Sequence, residues 1–164
     1  MVAARGADGA FAAYDPPANE HENHILRRST VPSPLSAAQA ENAKEIAQAI
    51  GKALDYVGVF AVELFVGKDG ALLVNEIAPR VHNTGHWTIE ACACSQFEQH
   101  IRAVAGWPLG DPARHADAVM ENIIGAEVNA WEALARTGAL HLYGKAQWRL
   151  GRKMGHITRV SPRR

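Results

Sequence analysis

Apolar and polar positions divide the chain into strand-like runs joined by turns. Apolar runs at the two ends of residues 2–14 flank a Gly-Ala-Asp-Gly turn and predict a hairpin. Residues 57–66 and 71–78 are two longer apolar runs, and the Gly-Lys-Asp-Gly sequence between them predicts a second hairpin. Residues 15–28 contain two adjacent prolines and mostly polar side chains, which predict a loop.

Helices are predicted where a capping residue precedes apolar positions at helical spacing. Ser36 followed by Gln39 is a capping box, and the apolar stripe after it predicts one buried helix face. That stripe consists of Ala43, Ile46, Ala47, Ile50 and Leu54. Ser95 followed by Glu98 is a second capping box and predicts another helix. The side chains expected to face inward from this helix are Phe97, Ile101, Val104 and Ala105.

A turn-rich stretch at residues 108–114 predicts a boundary between two units. Residues 1–107 are expected to form an antiparallel sheet with packed helices, and residues 108–164 a small β-rich C-terminal module. The strands predicted within the module are 118–124, 139–143 and 156–160. A short helix is predicted at residues 131–136. The chain as a whole is therefore predicted to have an α+β fold.

Composition and charge narrow the classes of partner. The chain carries 17 Lys+Arg and 17 Asp+Glu, so its zero net charge gives no bulk attraction to nucleic acid or to an anionic membrane. The longest apolar stretch, residues 57–66, is too short to span a bilayer, and the first residues lack the pattern of a signal peptide. Two cysteines make no disulfide framework, and a cytoplasmic location is expected.

Two carboxylates interrupt the apolar runs of the second predicted hairpin. If the turn pairs its two glycines, Glu63 lies opposite Val74, and Glu76 is its diagonal neighbour on the same face, roughly 7–8 Å away between Cα atoms. Carboxylates at that distance repel unless a cation lies between them. Mg²⁺ suits this role because it takes one or two carboxylates and completes its shell with water and phosphate oxygens. Asn75 points to the opposite face unless the strand bulges.

A structural alternative stays open for the same two glutamates. One of them would face solvent, and the other would pair with a lysine or an arginine. A one-residue change in the pairing of the turn would also place the two carboxylates on opposite faces of the sheet, because successive side chains of a strand alternate. The magnesium hypothesis therefore depends on the register of this hairpin.

The loop after the hairpin carries groups suited to an anion. It reads Arg-Val-His-Asn-Thr-Gly-His-Trp over residues 80–87. Arg80 can grip a phosphate or a carboxylate with two parallel hydrogen bonds, and His82 and Asn83 add further donors. Gly85 lets the backbone approach a ligand closely. The loop therefore predicts an anion pocket.

Two other residue pairs suggest metal chemistry less strongly. His82 and His86 have the spacing of a helical zinc pair, but the glutamate of an HExxH motif is missing and a nearby glycine disfavours a helix. Zinc is therefore not predicted. Cys92 and Cys94 are predicted to be small packed residues rather than ligands.

Basic side chains and glycines alternate near the C-terminus, in the sequence GKAQWRLGRKMGH. The cations of this segment are Lys145, Arg149, Arg152 and Lys153. They form either a solvated surface or, because glycines bring the backbone close to a ligand, a phosphate site. His21 and His24, in the early polar segment, have no pattern of their own that indicates a role.

Two runs, NEIAPRVHNTGHWT and SQFEQH, are highly specific in combination. With the rest of residues 58–110 they closely resemble one family, the 5-(carboxyamino)imidazole ribonucleotide synthases, which are ATP-grasp ligases. The resemblance extends back through HENHILRRS and forward through ENIIGAEVN and LYGKAQWRLGRKMGH, so it covers nearly the whole chain. It implies that residues 1–107 are the C-terminal lobe of an ATP-grasp domain, followed by the β-rich module.

The resemblance also implies a reaction and the residues that serve it. ATP and bicarbonate form carboxyphosphate, which carboxylates the 5-amine of aminoimidazole ribonucleotide, and ADP and phosphate are released. Glu63 and Glu76 would hold Mg²⁺. The residues that would border ATP are His21, Asn75 and Glu76. The residues that would line the ribonucleotide site are Arg80, His82, Asn83, Thr84, Lys145 and Arg152. Arg80 and His82 would also act in catalysis.

The chain departs from the family pattern in one large respect. It begins about where the second ATP-grasp lobe begins, and it lacks the Rossmann-like domain and the lysines of the first lobe. We therefore expect no activity from this chain alone, and a homodimer only for the full-length protein. Two alternatives stay open: another ATP-grasp enzyme, such as a formate-dependent glycinamide ribonucleotide transformylase or a biotin-dependent carboxylase, and a non-catalytic module.

Overall fold

Nine strands and four α-helices form the part of the chain that the computed structural model describes, residues 1–163. The strands are β1 (Val2–Arg5), β2 (Phe11–Ala13), β3 (Ala18–Glu22), β4 (Ile25–Val31), β5 (Gly58–Val66), β6 (Leu72–Ala78), β7 (Ala116–Ile124), β8 (Ala139–Leu142) and β9 (Lys153–Pro162). The helices are α1 (Ala37–Ala53), α2 (Thr88–Ala91), α3 (Gln96–Val104) and α4 (Trp131–Ala135). Short 3₁₀ turns lie at Asn83–Gly85 and Gly125–Ala130. The predicted α+β fold is confirmed.

The strands form two antiparallel sheets, with the orders β2-β1-β5-β6 and β3-β4-β7-β9-β8. The first half of strand β5, residues 58–62, is buried on both faces. Val59 and Ala61 pack into one apolar cluster, whereas Phe60 and Val62 pack into another on the opposite face. Burial on both faces explains why residues 58–62 form a continuous apolar run rather than an alternating one.

The first sheet is the middle layer of the fold. Helix α1 covers one face, where Ala43 and Ala47 pack against Phe60. The second sheet packs against the other face in a shared cluster that includes Tyr14 and Trp87. Their ring centroids lie 6.4 Å apart in an edge-to-face arrangement, a geometry that aromatic pairs favour.

The loop predicted at residues 15–28 is wrong, because this segment forms the hairpin β3–β4. Its turn consists of Asn23 and His24, both at positive φ, which is the geometry of a tight two-residue hairpin. Strand β4 pairs with β7 and buries Leu26 and Val31. Strand β3 lies at the edge of its sheet with mostly exposed polar side chains, so its composition resembles that of a loop.

Helix α1 begins as the sequence predicts. Ser36 caps it in a complete capping box with Gln39, whose side chain also donates to the carbonyl of Gly70 at 2.9 Å. Leu54 is wrong as a buried position, since it lies past the end of the helix and is 59% exposed. Gly51 is buried instead. A Cβ there would lie 2.8 Å from the Phe60 ring, so this glycine lets the helix approach β5.

The inward face predicted for α3 is wrong. Phe97, Ile101, Val104 and Ala105 are all exposed. The buried residues of this helix are Gln96, Gln99 and Ala103. Both glutamines are buried because their amides bind loop backbone, as described below for Gln96. Ser95 caps the helix as predicted, but Glu98 pairs with Arg102 at 2.8 Å instead of completing the capping box.

The predicted elements of the C-terminal module all occur, as strands β7, β8 and β9 and helix α4. The boundary between residues 107 and 108 stays a prediction. Strands β3 and β4 share the second sheet with β7 and β9, so residues from both sides of that boundary build one sheet. Among residues 1–163, no helix combines the length and apolar character needed to cross a membrane.

Replacing Ser36 with alanine tests the capping of α1. We expect the free energy of unfolding to fall by about 1 kcal/mol, because the amide of Gln39 loses its acceptor. Urea denaturation measures the change. Ser161→Ala, at an exposed position of β9, is the matched control and should change stability by less than about 0.5 kcal/mol. Equal losses in both variants would contradict the capping role.

Candidate functional site

Glu63 and Glu76 lie directly opposite each other on β5 and β6. The predicted pairing of Glu63 with Val74 is wrong, because the turn is one residue longer and starts the ladder at Val66 and Leu72. Without any irregularity, this pairing would place Glu63 opposite Asn75, so the side chains of Glu63 and Glu76 would point to opposite faces of the sheet. A β-bulge restores the shared face, since the pairing shifts between Glu63 and its neighbour Leu64.

The bulge also accounts for Asn75, which has no partner in the ladder between Val74 and Glu76. Two residues of β6 at this point oppose one residue of β5. Asn75 is exposed, and it does not line either of the two cavities described below. Its predicted place beside the nucleotide stays a prediction.

The donor set of the two glutamates fits Mg²⁺. Directly opposed side chains of an antiparallel pair have Cβ atoms about 4.5–5.5 Å apart, within reach of one bridging cation. Within residues 1–163 no group of three or more acidic, histidine or cysteine side chains is arranged to hold a metal. Two carboxylates are too few for a closed structural site, but they match Mg²⁺ that keeps water and phosphate ligands.

The two carboxylates face an open cavity of about 560 Å³ between the two sheets. Its lining residues are His21, His24, Ile25, Leu26, Glu63, Glu76, His82, Lys145, Gly151 and Lys153. The cavity thus brings together five of the predicted site residues, from positions 21 to 145 of the chain. The predicted site residues that do not line it are Asn75, Arg80, Asn83, Thr84 and Arg152.

A second cavity, of about 310 Å³, adjoins the first and shares His21 and Glu63 with it. Its other lining residues are largely apolar and include Pro16, Pro17, Leu35, Val62, Leu64 and Phe65. Thr84 also lines this cavity rather than the first. An apolar recess beside a pair of carboxylates provides one wall for a flat ring and a neighbouring place for charged groups.

Gln96 fixes the loop that carries His82. Its side-chain oxygen accepts from the His82 amide at 2.9 Å, and its nitrogen donates to the His82 carbonyl at 2.7 Å. The same nitrogen lies 3.0 Å from Nδ1 of His86. A Cβ on Gly85 would lie 2.7 Å from the Gln96 oxygen, so only glycine leaves room for this amide. Sequence reasoning missed Gln96, although it lies in the SQFEQH run.

His82 is held as a neutral ring against Glu63. Its Nε2 lies 3.5 Å from the Glu63 carboxylate, and its Nδ1 lies 3.0 Å from the Thr84 hydroxyl. Burial, together with the positive charges of Arg80 and Lys153, lowers the pKa of His82 to about 4. The Thr84 amide donates to Nδ1, so the ring proton lies on Nε2 and points toward Glu63.

Asn83 is anchored by a reciprocal amide pair. Its Nδ2 donates to Oδ1 of Asn122 at 2.9 Å, and Asn122 donates back at 2.6 Å. Asn122 lies on β7 and donates to the carbonyl of Leu26 as well. This pair joins the loop to the second sheet.

The predicted cations differ in their placement. Arg80 is exposed, and its guanidinium donates only to the neighbouring Val81 carbonyl, at 3.0 Å, among the described residues. Lys145 lies on the main cavity and donates to the backbone carbonyl of Lys153 at 2.5 Å. Arg152 donates to the carbonyl of Gln147 at 2.9 Å and does not line the cavity.

Three imidazole rings lie close together, and one of them, His86, belongs to the loop itself. The rings of His141 and His156 are 4.7 Å apart and nearly parallel, and the ring of His86 lies 4.7 Å from that of His156 at a tilt of 37°. The Tyr143 hydroxyl lies 3.0 Å from Nδ1 of His156, and a carboxylate oxygen of Glu90 lies 2.7 Å from Nε2 of His141. Burial, together with the proximity of the other imidazole rings, lowers the pKa of His86 to about 4 and that of His156 to about 3.

Two family models match the chain. The ATP-grasp domain matches residues 1–97, and the phosphoribosylaminoimidazole carboxylase C-terminal domain matches residues 118–164. Together they account for most of the sequence. The resemblance noted from the motifs, and with it the fold of an ATP-grasp C-terminal lobe followed by a small module, is confirmed.

Several curated relatives share the sequence over nearly its full length. The N5-carboxyaminoimidazole ribonucleotide synthase of Brucella melitensis is 54% identical over 99% of this chain, which is 46% of that protein. The synthase of Bacillus subtilis is 42% identical over 96% of this chain and 42% of that protein. The chain therefore spans less than half the length of these relatives.

Solved structures show the same likeness in three dimensions. The N5-carboxyaminoimidazole ribonucleotide synthetase of Thermus thermophilus superimposes with a TM-score of 0.89 at 44% identity, over 98% of this chain and 44% of that one. The synthase of Aspergillus clavatus, in complex with ADP and 5-aminoimidazole ribonucleotide, gives a TM-score of 0.92 at 34% identity. The superposition covers 98% of this chain and 45% of the Aspergillus clavatus chain.

Replacing Gln96 with leucine tests the clamp on His82. We expect the free energy of unfolding to fall by about 1–3 kcal/mol for each of the two backbone groups left unpaired. The His82 ring signals in the NMR spectrum should also shift. The matched control is Gln99→Leu, because Gln99 clamps the backbone of Gly110 from the same helix. That variant should lose stability but leave the His82 signals in place. Equal shifts in both variants would contradict a specific role for Gln96.

Acidification tests the buried histidines. The pKa values of His82, His86 and His156 in the fold lie below the ordinary 6.5, so the unfolded chain binds more protons below that pH. The free energy of unfolding should therefore be fully present above pH 6.5 and fall as the pH drops toward 4. Each extra proton that the unfolded chain binds lowers the free energy of unfolding by up to about 1.4 kcal/mol per pH unit. Urea denaturation of wild type and His156→Phe should show a shallower slope in the variant, and identical slopes would refute the assignment.

Proposed function

Because the chain belongs to the ATP-grasp family, we propose that it forms the metal-binding and ribonucleotide-binding portion of an N5-carboxyaminoimidazole ribonucleotide synthase. The reaction would use ATP and bicarbonate to carboxylate 5-aminoimidazole ribonucleotide, through carboxyphosphate, with release of ADP and phosphate. The observation that carries the proposal is the single cavity in which the opposed carboxylates of Glu63 and Glu76 face His82 and Lys145.

The two glutamates would hold Mg²⁺ with ATP. A bound Mg²⁺ ion neutralises negative charge on phosphate oxygens and so favours phosphoryl transfer. Asn75 and Glu76 would border the nucleotide, and His21, which lines both cavities, would also contact it. The apolar cavity beside Glu63 supports placing the base of the nucleotide there.

The loop residues would bind and orient the ribonucleotide. His82 is neutral near pH 7 and carries its proton on Nε2, so it serves as a hydrogen-bond donor rather than as a cation. Arg80, which has no acidic partner among residues 1–163, is free to grip an oxyanion with two hydrogen bonds. Asn83 and Thr84 would line the ribonucleotide, while Lys145 and Arg152 would approach its phosphate from the C-terminal module.

The match to the phosphoribosylaminoimidazole carboxylase C-terminal domain supports this substrate over glycinamide ribonucleotide. The Aspergillus clavatus structure, with ADP and 5-aminoimidazole ribonucleotide, supports the same ligands for this chain. A homodimer and a cytoplasmic location for the full-length protein remain proposals from the family resemblance. Inactivity of this chain by itself is likewise a proposal, since the chain covers 46% of its Brucella melitensis relative.

Fusing the unmatched part of the Brucella melitensis relative to this chain tests the function. The chimera should release ADP only when aminoimidazole ribonucleotide and bicarbonate are both present, and the 164-residue chain alone should release none. An enzyme-coupled ADP assay gives the rate. ADP release that responds to glycinamide ribonucleotide instead would show a different ligase. No release with either ribonucleotide, from a folded chimera, would favour a non-catalytic module.

Replacing either glutamate tests the metal site. Glu76→Gln in the chimera should lower kcat on the order of 10²-fold, because one anionic ligand of the proposed cation becomes neutral. Higher Mg²⁺ concentrations should recover part of this loss. Glu45→Gln, at an exposed position of α1, is the control and should leave the rate unchanged. A Glu76→Gln enzyme with full activity at limiting Mg²⁺ would rule out the metal role.

A further inference from the structure

Tyr143 lies where the C-terminal module meets the loop of residues 80–87. It directly follows β8, and its amide donates to the carbonyl of Met154 at 2.9 Å, so backbone pairing with β9 continues past the end of the strand. Its ring lies edge-on to that of His86, with the two centroids 6.2 Å apart. Tyr143 therefore contacts the loop from a fixed position in the module, and it has no part in the function proposed above.

The Tyr143 hydroxyl is the partner of a buried imidazole. It lies 3.0 Å from Nδ1 of His156, a residue that is 2% exposed. The other nitrogen of that ring, Nε2, is buried without a hydrogen-bond partner among residues 1–163. Because an unpaired buried polar group is costly, this one bond holds the hydroxyl and the imidazole together.

The same hydroxyl receives a hydrogen bond from the side chain of Asn83. Burial, partly opposed by this hydrogen bond, raises the pKa of Tyr143 to about 12, so the phenol keeps its proton near neutral pH. The bond favours the charged form of the phenol, so Asn83 is its donor, through an N–H group. The hydroxyl proton is then directed to Nδ1 of His156, and the imidazole carries its own proton on Nε2.

Asn83 is thus held by two residues of the C-terminal module. Its Nδ2 donates to Asn122, on β7, and to Tyr143, after β8. Asn122 is itself fixed, since it is 1% exposed and donates to the carbonyl of Leu26 at 2.9 Å. An amide has two N–H groups, and both are engaged here. The side chain of Asn83 is therefore locked in one orientation before any ligand binds.

The ring of Tyr143 also contacts Lys145. The ammonium group lies 5.4 Å from the ring centroid, within the range of a cation–π interaction. Lys145 lines the main cavity, and His82, the neighbour of Asn83 in the loop, lines it as well. One aromatic side chain thus sets the placement of a cation of the module relative to the loop.

We propose that Tyr143 is a positioning residue for the ribonucleotide site, which acts through Asn83 and Lys145 and does not itself contact the substrate. Tyr143 lines neither of the two cavities described above, as this indirect role requires. The effect on the reaction rests on the proposed function. The tether that joins Tyr143 to Asn83 and His156 rests on this chain alone.

Tyr143→Phe in the 164-residue chain tests the tether without any turnover, because it keeps the ring and removes the hydroxyl. In NMR spectra the side-chain amide signals of Asn83 should shift, and the His156 ring should lose its single Nε2–H tautomer. The matched control is Tyr14→Phe, which also removes one buried hydroxyl bond, to the Cys94 carbonyl at 3.0 Å. It should leave both sets of signals in place. Unshifted Asn83 signals, or equal shifts in both variants, would overturn the tether.

The chimera tests the role in the reaction. Tyr143→Phe should raise KM for the ribonucleotide roughly 3- to 10-fold, the effect of one hydrogen bond. KM for ATP should not change, because neither Asn83 nor Lys145 lines the apolar cavity proposed for the nucleotide base. Tyr143→Leu, which also removes the contact with Lys145, should raise KM for the ribonucleotide further.

Two results would overturn the positioning role: an unchanged KM for the ribonucleotide in Tyr143→Phe, or equal rises in the KM values for the ribonucleotide and ATP. The proposed function fails separately. An inactive wild-type chimera, alongside Asn83 signals that respond to Tyr143→Phe in the 164-residue chain, would defeat that function and leave the tether intact.

Discussion

The proposed chemistry depends on one extra residue in β6. Because side chains alternate along a strand, the pairing of Val66 with Leu72 would turn Glu63 and Glu76 to opposite faces of the sheet. The bulge at Asn75 moves the ladder by one position and brings both carboxylates to the same face. Bulges are enriched beside functional sites, where they redirect a side chain. Removing that residue would separate the two carboxylates without disturbing the hairpin turn.

The rest of the fold holds other groups against these carboxylates. Strand β5 is buried between α1 and the second sheet, so Glu63 projects from a rigid support. The loop that carries His82 has little regular structure of its own, and buried polar side chains fix it instead. Gln96 binds its backbone from α3, and Asn122 binds Asn83 from β7. The C-terminal module then supplies two lysines to the same cavity, so the site requires both sheets.

Local signals in the sequence predicted the local parts of this structure. Turn glycines located the hairpins β1–β2 and β5–β6, Ser36 and Ser95 located the helix starts, and the two glutamates stood out in apolar strands. Non-local features were missed. Gln96 looks like a surface residue until the backbone of His82 becomes its partner, and the polar strand β3 has strand character only beside β4. The bulge at Asn75 was not predicted either, because its effect on the two glutamates appears only when the whole register of β5 and β6 is known. Lys153 could not be distinguished from its basic neighbours by spacing alone.

The position of the divalent cation is the most direct test of the two-carboxylate site. Manganese can replace magnesium in such oxygen sites and is visible by anomalous X-ray scattering. Crystals of the chimera grown with Mn²⁺ and ADP should show an anomalous peak between the carboxylates of Glu63 and Glu76, within about 2.0–2.4 Å of an oxygen of each. A peak that contacts ADP but neither glutamate, in a well-ordered cavity, would contradict the metal site and leave the paired carboxylates without their proposed role.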